Sequence, residues 1–512
     1  MAELHTRMLM LATVFAATAL AAPPALAQTA PQGTLRIAID SDADALDPTL
    51  ARTYVGRIVF ASLCDKLVDI DEKLNIVPQL AQSFEWTDPK TLLLKLRPGV
   101  TFHDGSKVDA EAVRYSLMRH LTLQGSTRRG EISALESVEI VDPLTVKLHL
   151  KAPSAPFLSQ LADRAGMIMP PVYTEAAGKD FPLKPVCAGP FKFTERVPQD
   201  RIVFDRFDGY WNKDAIHVNR VVFRPITDAT VRLANLQAGA LDMVQGIQPT
   251  DLDTVKKDPK LRAEVNDGLG YVSLTFNIAN GTRPRTPMMT DARVRQAFAL
   301  SIDRQALVDV VFNGLHTPVA QAVPPASPFY DPSVKPQPRD IDKAKALLAA
   351  AGVKAPITVE LLLGNNPLNL QVGEVIQSMA KDAGFDVKIR STEFVTALKA
   401  SDAGDFEVFF IGWSGRVDPD GNLYSFVRTG APLNAQRYSN ADVDSLLDQA
   451  RAVTDVAQRR SLYGKVATQL NQDLPLMYLY APRAVFGLSA KVSGFVAVPD
   501  NLIRPQGIKI AP

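Results

Sequence analysis

Between residues 341 and 413 the chain alternates helix and strand patterns, and this restricts the fold more than any other feature. A helical stretch at 341–351 stops at Gly352, and 357–363 then reads as a strand. A second helix, 370–383, stops at Gly384 and is followed by a strand at 385–390. The run FEVFFIGW at 406–413 is apolar enough for a strand buried on both faces. Strands that alternate with helices this way imply an α/β body with largely parallel strands.

The first half has a different texture. A strand at 34–40 leads into Asp40, Asp42, Asp44 and Asp47, which read as turn and capping residues rather than a calcium loop. A helix is expected over 52–63. Two hairpins turn at Asp88-Pro89-Lys90 and Asp142-Pro143, and between them a helix starts at Asp109 with Val113, Leu117, His120 and Leu121 on one face. Segment 61–185 is therefore an α+β piece. Strands follow at 191–196, 202–207, 218–225 and 241–244, with a helix from Asp228 to Ala238. A strand at 271–278 precedes a long helical stretch at 290–313. The segment 318–338 holds seven prolines and reads as an extended surface loop. Two helices, near 442–453 and 457–471, precede a last strand at 476–480.

The chain has 512 residues and a net charge of +1, so it carries no global basic footprint for nucleic acid. Residues 1–27 hold Arg7, an apolar run of about 15 residues that is shorter than a bilayer span, and Ala25-Leu26-Ala27 after Pro23 and Pro24. This pattern is a secretory signal peptide cleaved before Gln28. The residue directly after the cleavage point is Gln28 and not Cys, so a lipoprotein is not expected, and an oxidising compartment such as the periplasm is. Cys64 and Cys187, the chain's two cysteines, are either a disulfide or two buried thiols.

Catalytic patterns are scarce. The six His form no H-x-x-H or H-E-x-x-H set, and neither phosphate-loop nor dinucleotide fingerprints occur. Ser378-Met379-Ala380-Lys381 stands without its companion motifs, and Lys381 is expected on a solvated helix face. No enzyme, cofactor or metal is expected.

Residues 79–121, QLAQSFEWTDPKTLLLKLRPGVTFHDGSKVDAEAVRYSLMRHL, resemble the family 5 extracellular solute-binding proteins, the peptide, nickel and related binding components of ABC importers. Further blocks follow in the family's order: CAGPFKFTE at 187–195, 208–243, 292–314, 341–352, FFIGWSGRVDPDGNLYSF at 409–426 and DLPLMYLY at 473–480. The resemblance implies a two-lobed periplasmic binding protein fold (type II, venus-flytrap-like), α/β, with an extra α+β subdomain on lobe 1. It divides the chain into 1–27 signal peptide, 28–60 and 186–267 of lobe 1, 61–185 subdomain, 268–483 lobe 2, and 484–512 returning to lobe 1. Cys64 and Cys187 would flank the subdomain, which favours their pairing. The partners implied are a small or peptide-like solute and an ABC permease and ATPase complex, with the protein a monomer. A sensing receptor or a periplasmic hydrolase are the alternatives.

The resemblance places Gly412–Asn422 at the cleft edge, with Trp413, Ser414, Gly415, Arg416 and Asp418 as site residues. Peptide-binding members carry an acidic residue after the Trp segment that pairs with a peptide amino terminus. This sequence has Arg416 there and is one residue short. Facing the cleft, Arg416 would favour a carboxylate or phosphate and penalise a free ammonium, giving an anionic or N-blocked solute. Paired with Asp418 or Asp420, it would be structural. Arg52, Tyr54, Arg164, Asn365 and Asn366 complete the expected site, each also readable as surface or capping.

Overall fold

The computed structural model describes residues 33–511. The expected leader at 1–27, and the first residues after its cleavage point, lie outside the described residues. Two mixed sheets carry the chain. The first has seven strands in the order Leu261–Asp267, Arg483–Ser489, Met243–Gln245, Thr34–Ile39, Arg220–Pro225, Arg201–Arg206, Phe191–Val197. Thr34–Ile39 runs parallel to both neighbours, and Leu35, Ile37 and Ile39 are buried with Phe204, Phe223 and Phe486. The second has six strands in the order Thr317–Pro318, Leu476–Ala481, Tyr271–Phe276, Val408–Trp413, Ile357–Gly364, Phe385–Thr392.

The expectation of largely parallel strands holds for only part of this second sheet. Ile357–Gly364 is parallel to both neighbours, but Tyr271–Phe276 is antiparallel to both of its own. Tyr271–Phe276 arrives directly from the other sheet and not through a helical crossover, so nothing forces it parallel. Buried through Phe410, the strand Val408–Trp413 opens at its carboxyl end, where Gly412 is exposed.

The chain passes from one sheet to the other twice, at 268–270 and at Pro482. At the first passage the backbones nearly touch. A Cβ on Gly270 would lie 1.9 Å from the Trp413 carbonyl oxygen, and one on Gly415, whose φ is +79°, would lie 2.2 Å from the Leu269 carbonyl carbon. Only glycine permits this approach.

A four-stranded antiparallel sheet, Ala81–Asp88, Thr91–Leu96, Thr145–Leu150 and Leu135–Asp142, contains both expected hairpins. The helix Ala110–Thr122, capped by Asp109, packs Val113 and Leu117 into the same core as Leu92, Leu94, Val146 and Leu148. Cys64, which ends the helix Tyr54–Leu63, forms a disulfide with Cys187 with Cα atoms 5.0 Å apart.

Two other expectations are corrected. The stretch 290–313 contains two longer helices, Ala292–Ser301 and Arg304–Phe312, after a short Pro287–Thr290 turn. The Asp303 carboxylate caps the second by accepting from the Ala306 N–H at 2.9 Å, while the Ser301 hydroxyl donates back to the Phe298 carbonyl at 2.6 Å. The proline-rich segment is not all surface: residues 319–323 are buried. Gln321 Nε2 donates to the Asp331 carbonyl at 2.7 Å and Asn471 Nδ2 donates to that of Ala320 at 2.8 Å, so the backbone is paired as its apolar residues go inward. Ser378 and Lys381 are exposed on the helix Pro367–Lys381.

Burial lowers three histidines: His103 and His316 to about 4 and His120 to about 3. Asp65 is raised by burial to about 7. Near pH 5 the unfolded chain therefore binds three more protons at the His and one fewer at Asp65. Each net proton is worth about 1.4 kcal/mol per pH unit, so stability should fall as pH drops below 6.5, with the slope steepening to about 3 kcal/mol per unit near pH 5. Urea midpoints measured at pH 6.5 and 5 should differ accordingly; equal midpoints would contradict these assignments.

Candidate functional site

A cavity of about 560 Å³ lies between the two sheets and takes its walls from both. That volume suits a small solute. The first half contributes Arg52, Tyr54, Arg128, Arg232 and Gln245; the second contributes Asn365, Asn366, Trp413, Ser414 and Tyr480.

The wall residues are fixed by local structure. Thr53 caps the helix Tyr54–Leu63, and the Asp44 carboxylate accepts from the Arg52 N–H at 2.7 Å and the Thr53 hydroxyl at 2.7 Å. Asp44 thus serves a turn and cap as expected, and Asp47 accepts from the Thr49 N–H at 2.8 Å, but Asp47 also pairs with Arg119 at 2.7 Å and Asp42 reaches the distant Arg196 and the Gln199 N–H at 3.0 Å. Tyr54 Oη donates to the Asn501 carbonyl at 2.7 Å, and burial raises its phenol above the usual range. The Arg52 guanidinium reaches across the cavity mouth to pair with Asp402 of the other half. Asn366 caps the helix Pro367–Lys381 by accepting from the Asn369 N–H at 2.8 Å, and Asn365 sits beside it. The Trp413 indole N–H donates to Asn422 Oδ1 at 3.0 Å, and Phe426 meets its ring edge-on at 4.7 Å.

Four expected residues do not line this cavity. Gly415 is consumed by the backbone contact with Leu269, a parallel bridge. Arg416 is 6% exposed and turns away from the cavity. It does not pair with Asp418 or Asp420 either. Its Nε lies 3.3 Å from Asp163 of the other half, its Nη1 donates to the Gly415 carbonyl at 2.8 Å, and its guanidinium lies 4.5 Å over the Trp413 ring. Asp418 is held in two bonds by Arg459, at 2.6 and 2.7 Å, and Asp420 likewise by Arg451 at 2.6 and 2.8 Å. The helices Ala441–Ala452 and Val456–Asp473 supply those arginines and so take the acids that sequence proximity offered to Arg416. Arg164 is 1% exposed and donates to the Ala51 carbonyl at 2.7 Å, supporting the Arg52–Tyr54 segment from behind.

Sequence reasoning missed Arg57, Arg128 and Asp163. Asp163 receives Arg57 Nε at 2.7 Å, lies 3.4 Å from Arg164 Nε and faces Arg416. Burial opposes its charge, but Arg416, Arg57 and Arg164 outweigh burial and hold the carboxyl well below the usual range. Arg416 is lowered to about 10, by burial first and then by Arg57, and stays charged at neutral pH. One signal for Arg57 was visible: it is a lone charge in the apolar helix VGRIVF, and such a residue needs a buried partner.

Residues 75–434 match the bacterial extracellular solute-binding proteins, family 5, middle region. The chain is 30% identical to the glutathione-binding protein GsiB of Pectobacterium atrosepticum over 485 residues, 91% of this chain and 92% of that one. Among solved structures it is similar to the PBP AgaA from A. tumefaciens R10 in complex with agropinic acid (27% identity, TM-score 0.85, covering 94% of this chain and 99% of that one). It is also similar to the ABC transporter-associated periplasmic binding protein DppA from Helicobacter pylori in complex with the peptide STSA (26% identity, TM-score 0.86, covering 94% and 98%). These relatives are binding proteins, and among the described residues no helix is long and apolar enough to cross a membrane. By the match over 75–434 and by the two-lobed fold, the chain belongs to the family 5 bacterial extracellular solute-binding proteins.

Proposed function

We propose that this protein is the periplasmic substrate-binding component of an ABC importer, capturing a peptide-like solute between two lobes and delivering it to a membrane permease. The observation that carries the reading is the cavity walled by both sheets, with the chain, among the described residues, crossing at 268–270 and 482. The lobes are taken as 33–60, 186–267 and 484–511 for the first, with 61–185 as its subdomain, and 268–483 for the second. Solute touching both walls favours the closed state by its differential affinity, and closure presents both lobe surfaces to the permease. One chain supplies both walls, so the working unit is a monomer. Arg416 itself makes no direct contact with an anionic or N-blocked solute, because its guanidinium is turned into the seam.

Calorimetry with di- and tripeptides, glutathione and amino-acid–sugar conjugates tests the reading. At least one should bind 1:1 and be recovered unchanged. Altered solute would make the protein an enzyme. Trp413 offers a flat half-buried face, so Trp413→Leu should weaken that binding by about 30-fold, beyond the stability lost with its bond to Asn422 and its contacts with Phe426 and Arg416. Unchanged affinity would remove Trp413 from the site.

A further inference from the structure

The Trp413–Ser414 end of the cavity has an unusual electrostatic floor. Ser414 lines the cavity, and its Oγ accepts from Arg57 Nη1 at 2.9 Å and faces Arg416 Nη1 at 3.5 Å. The Arg57 donor thus occupies one lone pair of the hydroxyl, and Arg416 Nη1, which bonds the Gly415 carbonyl at 2.8 Å, lies near the other. A serine hydroxyl has one further capacity, its O–H. Among the described residues no acceptor takes that proton, so the donor is left to address the cavity that Ser414 lines.

The charge behind it is unbalanced. Arg57, Arg164 and Arg416 converge on Asp163, and Arg128, which also lines the cavity, pairs with Glu131. Four guanidiniums therefore face two carboxylates. Asp500 adds to the field at Arg57 but is already held by Arg504 at 2.7 and 2.9 Å. All four arginines are nearly buried, where water screens little. An ammonium placed here would meet an excess of positive charge, whereas a carboxylate would offset it.

We infer that Ser414 and Arg128 form the subsite for a carboxylate of the bound solute, with Arg57 and Arg416 acting as positioning residues that aim the Ser414 hydroxyl into the cavity. The inference rests on the proposed capture of a peptide-like solute. The carboxylate accepts the Ser414 O–H in a charge-assisted bond and takes its second contact from Arg128. Selection by charge at this end is thus shared between Arg128 and a neutral hydroxyl, with the Arg57 and Arg416 guanidiniums one bond removed.

Calorimetry on the full mature chain tests this with γ-glutamylcysteinylglycine and N-acetyl-alanyl-alanine, each as free acid and as carboxamide. At least one acid should bind about tenfold or more tighter than its amide. Ser414→Ala should close most of that gap by weakening the acid, and Ser414→Thr, which keeps the hydroxyl, should restore it. Because Ser414→Ala also removes a bond between the halves, a general loosening would weaken acid and amide alike and leave the gap, which would overturn the inference. Equal binding of acid and amide by the unsubstituted protein would overturn it too and leave the proposed function standing. If no member of the series binds, acid or amide, the peptide-like reading of the cavity fails and the subsite fails with it.

Discussion

Asp163→Ala is expected to cost about 3–5 kcal/mol of stability, because it strips the carboxylate from three buried guanidiniums. Asp163 accepts from Arg57 at 2.7 Å and lies 3.3 Å from Arg416 and 3.4 Å from Arg164. With it gone, three positive charges remain in a seam where each side chain is at most 6% exposed. The loss is largely the penalty of leaving charges unpaired rather than the net worth of the ion pairs. Asp163→Asn keeps the shape but not the charge, so it too should be strongly destabilising. Urea unfolding of the variants checks both. Wild-type midpoints would mean that the seam is solvated and its charges are screened.

Removal of the disulfide is the second large effect. Cys64 and Cys187 are 123 residues apart in sequence. Chain-entropy reasoning for a loop of about 100 residues gives roughly 4–5 kcal/mol, and loss of a native disulfide typically costs 2–5. The bond ties the end of the helix Tyr54–Leu63, whose first turn walls the cavity, to the segment entering the strand Phe191–Val197. Cys64→Ala/Cys187→Ala, or dithiothreitol on the native protein, should therefore lower the unfolding midpoint by a similar amount. Affinity for a solute in the folded state should change much less. A reduced protein with an unchanged midpoint would show that the tie constrains little in the unfolded chain.

Much of the fold could be read from local chemistry. Gly352 and Gly384, with φ of +71° and +95°, stop helices where expected, and Asp109 and Asp228 start them. These signals act within a few residues and need no tertiary partner. The break at Ile302-Asp303 was missed because helical spacing continues through it, while a cap residue outweighs spacing locally. The buried run 319–323 was missed because its backbone partners, Asp331 and Asn471, come from elsewhere in the chain.

The site divides along the same line. Trp413, Ser414, Arg52, Tyr54, Asn365 and Asn366 line the cavity because each follows a strand end or starts a helix, positions that sequence can locate. Arg416 could not be placed that way. Its partner is Asp163, more than 250 residues away, while the acids beside it are taken by Arg459 and Arg451. Proximity in sequence pointed to a loop ion pair; packing of two later helices decided otherwise.

One peptide-like solute is expected to bind between the lobes. Native mass spectrometry of the purified protein, after incubation with a mixture of short peptides and glutathione, reads this out. A single adduct per chain is expected in the mass range of a small peptide, greatly diminished by Trp413→Leu. A bare chain at every solute concentration, or an adduct indifferent to that substitution, would contradict it.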